Sequence, residues 1–222
     1  MKKLRLAIVS LLFTLTAGAQ AKWDSSYRPN NYAQRVDNFR SYPNSKKDII
    51  FLGNSITDYT DWNELLQLPH ARNRGISGDI TFGVLARLDE VTEGKPAKIF
   101  ILIGINDIAR NIPDSVILAN YQRMIDRIKA STPRTKIYFN TLLPVNKTFP
   151  DRAHFNKDQH IAAVNAGLKA ICAKEKIQVI DIHPKFLDDQ QRLDKKYCYD
   201  GLHLNAEGYK LWAGLLQPYL RK

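Results

Sequence analysis

Short apolar runs, each closed by glycine, alternate along this chain with segments whose apolar residues keep a helical spacing. That alternation admits few folds. Ile49-Ile50-Phe51-Leu52 ends on Gly53, and Ile99-Phe100-Ile101-Leu102-Ile103 ends on Gly104. Neither run alternates with polar residues, so each reads as a strand covered on both faces, as in the interior of a parallel sheet. Residues 136–140 and 177–181 form two more such runs, and 71–75 a weaker one. Between them, Ile117, Leu118, Tyr121, Met124, Ile125 and Ile128 lie along one helix face, with Pro113 and Asp114 suited to the first turn and Pro133 beyond the end. Ile161, Val164, Leu168 and Ile171 predict another helix, and residues 211–220 a last one. Strands alternating with helices predict an α/β fold: a three-layer α/β/α sandwich around a mostly parallel sheet of about five strands.

The first 21 of the 222 residues stand apart from this pattern. Lys2, Lys3 and Arg5 precede an apolar stretch over 6–17, and Ala19-Gln20-Ala21 follows as a small-x-small cleavage site, with Ala17-Gly18-Ala19 as an alternative cut. The apolar stretch falls short of the roughly 20 residues that span a bilayer. Residues 1–21 are therefore expected to be an export signal, and the mature protein to be periplasmic or extracellular; without a cysteine near the cut, a lipid anchor is not expected. Residues 22–222 are expected to form a single domain, of which 22–47, polar and carrying Pro29, Asn30, Asn31 and Pro43, is an N-terminal arm with room for one short helix.

The formal charge is +11, but basic and acidic residues are interspersed, as in Arg123, Asp126, Arg127 and Lys129. A nucleic-acid binder more often concentrates its cations in a stripe with interleaved aromatics, so a solvated cationic surface is the better reading. Cys172 and Cys198 are the two cysteines; an exported chain could pair them or bury both as thiols.

In open parallel sheets, ligands bind beyond the carboxyl ends of the strands. Four loops at those positions carry candidate chemistry. After the first strand, Gly53-Asn54-Ser55-Ile56 places a hydroxyl near a helix start; the same residues are common in plain turns, and Thr57 rules out a G-x-S-x-G motif. Asn73-Arg74-Gly75-Ile76-Ser77-Gly78-Asp79 could aim backbone N–H groups at a ligand, or merely lead into a helix near Thr81. Gly104-Ile105-Asn106-Asp107 offers an amide donor or a helix cap. Asp200-Gly201-Leu202-His203 can set a carboxylate against one imidazole nitrogen and free the other as a base. Together these supply a nucleophile, a base with its orienting acid, and oxyanion donors.

In this order the four blocks resemble the SGNH hydrolases, also called GDSL-type esterases or lipases. The wording of 73–79 and of Leu85-Ala86-Arg87-Leu88 is similar to the branch holding platelet-activating-factor acetylhydrolase-like and bacterial acyl-sugar esterases. The resemblance spans Asp48 to the C-terminus and implies a flavodoxin-like sheet. It also implies Ser55 as nucleophile, His203 as base, Asp200 as its support, and an oxyanion hole made by the Ser55 and Gly78 N–H groups and the Asn106 side chain. Asn54 departs from the Asp of the family's name but keeps an acceptor oxygen. Ile105 stands where many members have glycine and is expected to narrow the pocket.

The function expected is hydrolysis of short acyl esters, acetyl above all, on carbohydrates; lipid esters of the lysophospholipase or acetylhydrolase type are the alternative. Neither a metal nor a cofactor is required. Trp62, Leu143 and Val145 are expected to contact substrate. A metal-dependent phosphoesterase is disfavoured because the five histidines show no paired spacing beyond His154 and His160. A non-catalytic carbohydrate-binding protein of the same fold is disfavoured because Ser55 and His203 are both present. His183, beside Asp181 and Pro184, is expected to be structural.

Overall fold

A computed structural model of the chain describes residues 23–221, so the expected export signal over 1–21 lies outside the described residues. Five strands, β1 (Ile49–Gly53), β2 (Ala71–Gly75), β3 (Lys98–Leu102), β4 (Lys136–Asn140) and β5 (Gln178–Ile180), form one sheet in the order β2-β1-β3-β4-β5. Every pairing is parallel. This is the flavodoxin-like order, and the connections diverge on either side of β1, which opens a crevice at the carboxyl ends of β1 and β3.

Among the described residues nine α-helices accompany the strands: α1 (Tyr32–Ser41), α2 (Ser55–Asp58), α3 (Trp62–Leu66), α4 (Thr81–Ala86), α5 (Leu88–Thr92), α6 (Ile105–Ala109), α7 (Asp114–Ser131), α8 (Asp158–Glu175) and α9 (Ala206–Leu220). Strand alternation sorts them into two layers, because neighbouring side chains leave opposite faces of the sheet. Phe51, Phe100 and Tyr138 sit in register on adjacent strands and stack at 5.2 and 4.6 Å between centroids. On that face Phe51 stacks on Trp62 of α3 at 4.1 Å, and Tyr138 meets Tyr219 of α9. The next residue, Phe139, turns the other way and meets Tyr121 of α7 at 5.4 Å. There α7 packs with α4, α5 and α8.

The fold agrees with the expected α/β sandwich and adds detail at the ends of its elements. The arm holds α1, tied to the rest by Arg35 donating to Asp58 (2.6 Å) and to the Gly75 carbonyl (3.0 Å). The last helix begins at Ala206, before its apolar face does, because the Asn205 side chain accepts from the Gly208 N–H. Among the described residues no helix is long and apolar enough to cross a membrane. Cys172 and Cys198 are both buried free thiols, and burial pushes Cys172 up to about 12.

Candidate active site

Ser55 opens α2 directly beyond β1. The turn forms because Asn54 caps the helix, its side-chain oxygen accepting from the Ile56 N–H at 3.0 Å. An aspartate at 54 would cap equally well; the asparagine Nδ2 is buried without a partner among the described residues. Ser55 is 6% exposed, and its Oγ lies 2.9 Å from His203 Nε2.

His203 comes from the opposite end of the chain, in the loop before α9. Asp200 organises that loop: Oδ1 accepts from the Leu202 and His203 N–H groups (3.0 and 2.8 Å), and Oδ2 lies 2.8 Å from His203 Nδ1. Gly201 makes the turn possible, since its φ is +78° and a Cβ there would stand 2.4 Å from the Asn146 carbonyl. Burial pulls the Asp200 carboxyl upward, but hydrogen bonds from the His203 ring and backbone, with the imidazole's charge, outweigh it and hold the group below the ordinary carboxylate value. Arg152 adds a contact to Oδ2 at 2.8 Å. Ser55, His203 and Asp200 thus form one continuous hydrogen-bonded chain. With the ring proton on Nδ1, facing the carboxylate, Nε2 is left as an acceptor for the serine proton.

Gly78 and Asn106 stand beside one another at the ends of β2 and β3. The Asp79 N–H donates to the Ile76 carbonyl at 3.0 Å, closing a turn that puts Gly78 at φ +82°, a conformation that disfavours any side chain. The Asn106 Nδ2 donates to the Asp79 carbonyl at 2.9 Å, which leaves one of its two N–H groups without a partner among the described residues. The same loop is held from below. Asp107 of α6 accepts from the Thr81 N–H (3.0 Å) and hydroxyl (2.5 Å), capping α4 from a neighbouring helix. Burial, only partly offset by those hydrogen bonds, raises the Asp107 carboxyl to about 7. Asp79 pairs with the fully buried Arg87 at 3.2 Å.

Next to these donors lies a cleft of about 710 Å³, walled by Trp23, Asp24, Tyr27, Gly78, Asn106, Ala109, Arg110, Ala153 and His154. Trp23 stacks on Phe82, and the Arg110 guanidinium lies over the Tyr27 ring. Several of these residues escape sequence reasoning. Trp23 and Tyr27 belong to the arm, which carries no strand–loop signal. His154 sits on the long loop after β4, where nothing local marks it, yet its Nε2 lies 2.9 Å from Asn106 Oδ1.

The structure buries three residues expected to contact substrate. Trp62, Leu143 and Val145 are 1, 4 and 2% exposed and belong to the hydrophobic core. Trp62 spends its indole N–H on the Thr57 carbonyl, stacks on Phe51 and meets Trp212 in a T-shaped contact. Being among the most apolar residues near the strand ends, all three are drawn under the site rather than into it. Ile105 likewise turns into the core at 4% exposure and does not wall the cleft. His183 lies 2.8 Å from the Leu142 carbonyl through Nδ1, a structural contact, and His160 pairs with Asp114 on the surface. Among the described residues no three His, Cys, Asp or Glu gather to hold a metal ion.

Comparison with known proteins gives a consistent result. Residues 51–211 match the model of the GDSL-like lipase/acylhydrolase family. Platelet-activating factor acetylhydrolase IB subunit alpha2 of Rattus norvegicus is 31% identical over 170 residues, which cover 73% of this chain and 71% of that protein. The Homo sapiens subunit matches to the same extent. The crystal structure of a GDSL-like lipase from Bacteroides thetaiotaomicron is 25% identical, with a TM-score of 0.76 over 86% of this chain and 97% of that one.

Proposed function

Because this chain belongs to the GDSL-like lipase/acylhydrolase family and is a hydrolase of ester bonds, we propose that it removes short acyl groups, chiefly acetyl, from carbohydrates, with Ser55, His203 and Asp200 as its catalytic triad. The observation that carries the triad is the unbroken run of 2.9 and 2.8 Å contacts from Ser55 Oγ through the His203 ring to Asp200. His203 Nε2 takes the Ser55 proton as Oγ bonds to the ester carbonyl carbon. The resulting oxyanion meets the Ser55 and Gly78 N–H groups and the free Asn106 N–H, each worth about 3 kcal/mol at such a hole. The C–O bond to the alcohol then breaks, and His203 delivers its proton to the departing oxygen. Water repeats the sequence on the acyl-serine and regenerates Ser55. No step calls for a metal or cofactor.

The substrate reading rests on the cleft. Its wall sets two aromatic rings beside Asp24, Arg110, Asn106 and His154, and its aliphatic residues are alanines. Aromatic faces with polar edges suit a sugar ring, whereas a long alkyl chain needs a run of larger aliphatic side chains. The acetyl preference follows the acetylhydrolase relatives. Those relatives also favour a second reading, an acetylated lipid. Export through the 1–21 signal would bring the enzyme to extracellular or periplasmic sugar esters.

A panel of acetylated oligosaccharides, an acetylated phospholipid and ethyl acetate, run with wild type and Ser55→Ala, tests both parts. The variant should lose at least about 10³-fold in kcat on every ester and lose labelling by a fluorophosphonate probe. Turnover retained by the variant would overturn the nucleophile assignment; a preference for the lipid over the sugars would move the substrate to the second reading.

A further inference from the structure

The oxyanion role of Asn106 depends on where its amide points, and that is set by a contact from outside the motif. One Nδ2 hydrogen goes to the Asp79 carbonyl (2.9 Å), and Oδ1 lies 2.9 Å from His154 Nε2. Were the amide turned over, its oxygen would face the Asp79 carbonyl and its NH₂ a ring N–H, so both contacts would be lost. We propose that His154 is a positioning residue for ester hydrolysis: its ring N–H grips Asn106 Oδ1, fixing and polarising the amide so that the remaining N–H meets the oxygen that gains charge.

Four observations support this role, which rests on the oxyanion reading of Asn106. His154 lines the cleft together with Asn106 and Gly78, the two loop donors of the proposed oxyanion hole. Its Nδ1 is buried with no partner among the described residues, so a proton there would be an orphan and the ring keeps its single proton on Nε2, the atom facing Asn106. Burial, reinforced by the charges of His203, Arg152 and Arg110 and opposed by Asp200, lowers His154 to about 4 and keeps it a neutral donor at physiological pH. The segment is anchored by Phe155, 4% exposed in the core, so the ring is delivered to Asn106 by a fixed loop.

Two near-isosteric substitutions separate donation from packing. His154→Gln keeps an N–H at the end of the side chain; His154→Met keeps the bulk and has no donor. His154→Met should lower kcat about 10- to 100-fold, a part of the 10²–10³ that loss of a whole oxyanion donor costs, with KM moving less than about threefold. His154→Gln should recover kcat to within about fivefold of wild type at the same thermal stability as the Met variant. In the double variant Asn106→Ala/His154→Met, the second change should cost less than about threefold beyond the first. Equal kcat for the Gln and Met variants, or losses that multiply in the double variant, would overturn the positioning role. Asn106→Ala alone keeps the two claims apart: full activity there would remove the oxyanion reading itself, whereas a loss there with none in His154→Met would remove only the inference about His154.

Discussion

Arg87 offers a severe test of how the site is supported. It is fully buried, and every arm of its guanidinium is committed: Nε to Asp79 at 3.2 Å, Nη1 to Glu90 at 3.0 Å, and Nη2 to the Arg74 carbonyl at 2.9 Å. Arg74 in turn reaches Glu90 at 3.1 Å, so two cations and two carboxylates balance inside the fold, beneath the carboxyl ends of β1 and β2. Burial pushes Asp79 and Glu90 upward, and Arg87 is the largest influence opposing that in each. Arg87→Met keeps volume and removes one cation, leaving an uncompensated buried charge. Breaking such a pair costs about 3–5 kcal/mol, which for a chain of this size is a drop of about 6–20 °C in Tm.

The loss must also depend on pH. Without Arg87 the folded-state pKa of Asp79 or Glu90 rises further above its unfolded value, so the folded state holds more protons than the unfolded state. Stability of the variant then falls as pH rises through that window, and its deficit against wild type is larger at pH 8 than at pH 5. Thermal melts of both proteins across that range measure this. A deficit under about 1 kcal/mol, or one that does not change with pH, would refute the view that this cluster's charges depend on each other.

Asp200→Asn should leave the loop folded, since the asparagine oxygen can still accept from the Leu202 and His203 N–H groups, but lower kcat about 10⁴-fold by favouring the wrong imidazole tautomer, read from steady-state kinetics on an acetate ester. Asp107, raised to about 7 by burial, binds its proton more tightly folded than unfolded, so its contribution to wild-type stability should fall as pH climbs from about 4 to 7. Asp107→Asn removes that titration, and its melting temperature relative to wild type should rise over the same interval; parallel curves would contradict it.

Much of this protein was legible from one dimension. Parallel strands buried on both faces must be continuous apolar runs, so β1, β3 and β4 announce themselves, and the 3.6-residue period of α7 and α8 survives in any tertiary setting. The site blocks were legible for a related reason: a strand end, a capping residue and a tight turn are local devices, and Asn54-Ser55, Gly78 and Asp200-Gly201-x-His203 each carry their own geometry in a few residues. Local chemistry also put Asn106 in the loop after β3, where it lines the cleft.

Other features depended on contacts between parts of the chain far apart in sequence. A tryptophan near a strand-end loop looks like a substrate contact, but Trp62 is buried because Phe51 and Trp212 pack against it, and neither adjacency is visible locally. The arm holding Trp23 and Tyr27 reaches the cleft through an ion pair to α2 and packing against α4, and His154 meets Asn106 across a separation of 48 residues. Hydrophobic period and turn chemistry act between near neighbours, so the amino-acid order by itself determined the strands, the helices and the turns that hold the reactive groups. Which surfaces those elements share, and hence which side chains wall the cleft and which lie beneath it, was decided only when the chain closed on itself, because burial and hydrogen-bond partnership belong to the assembled fold.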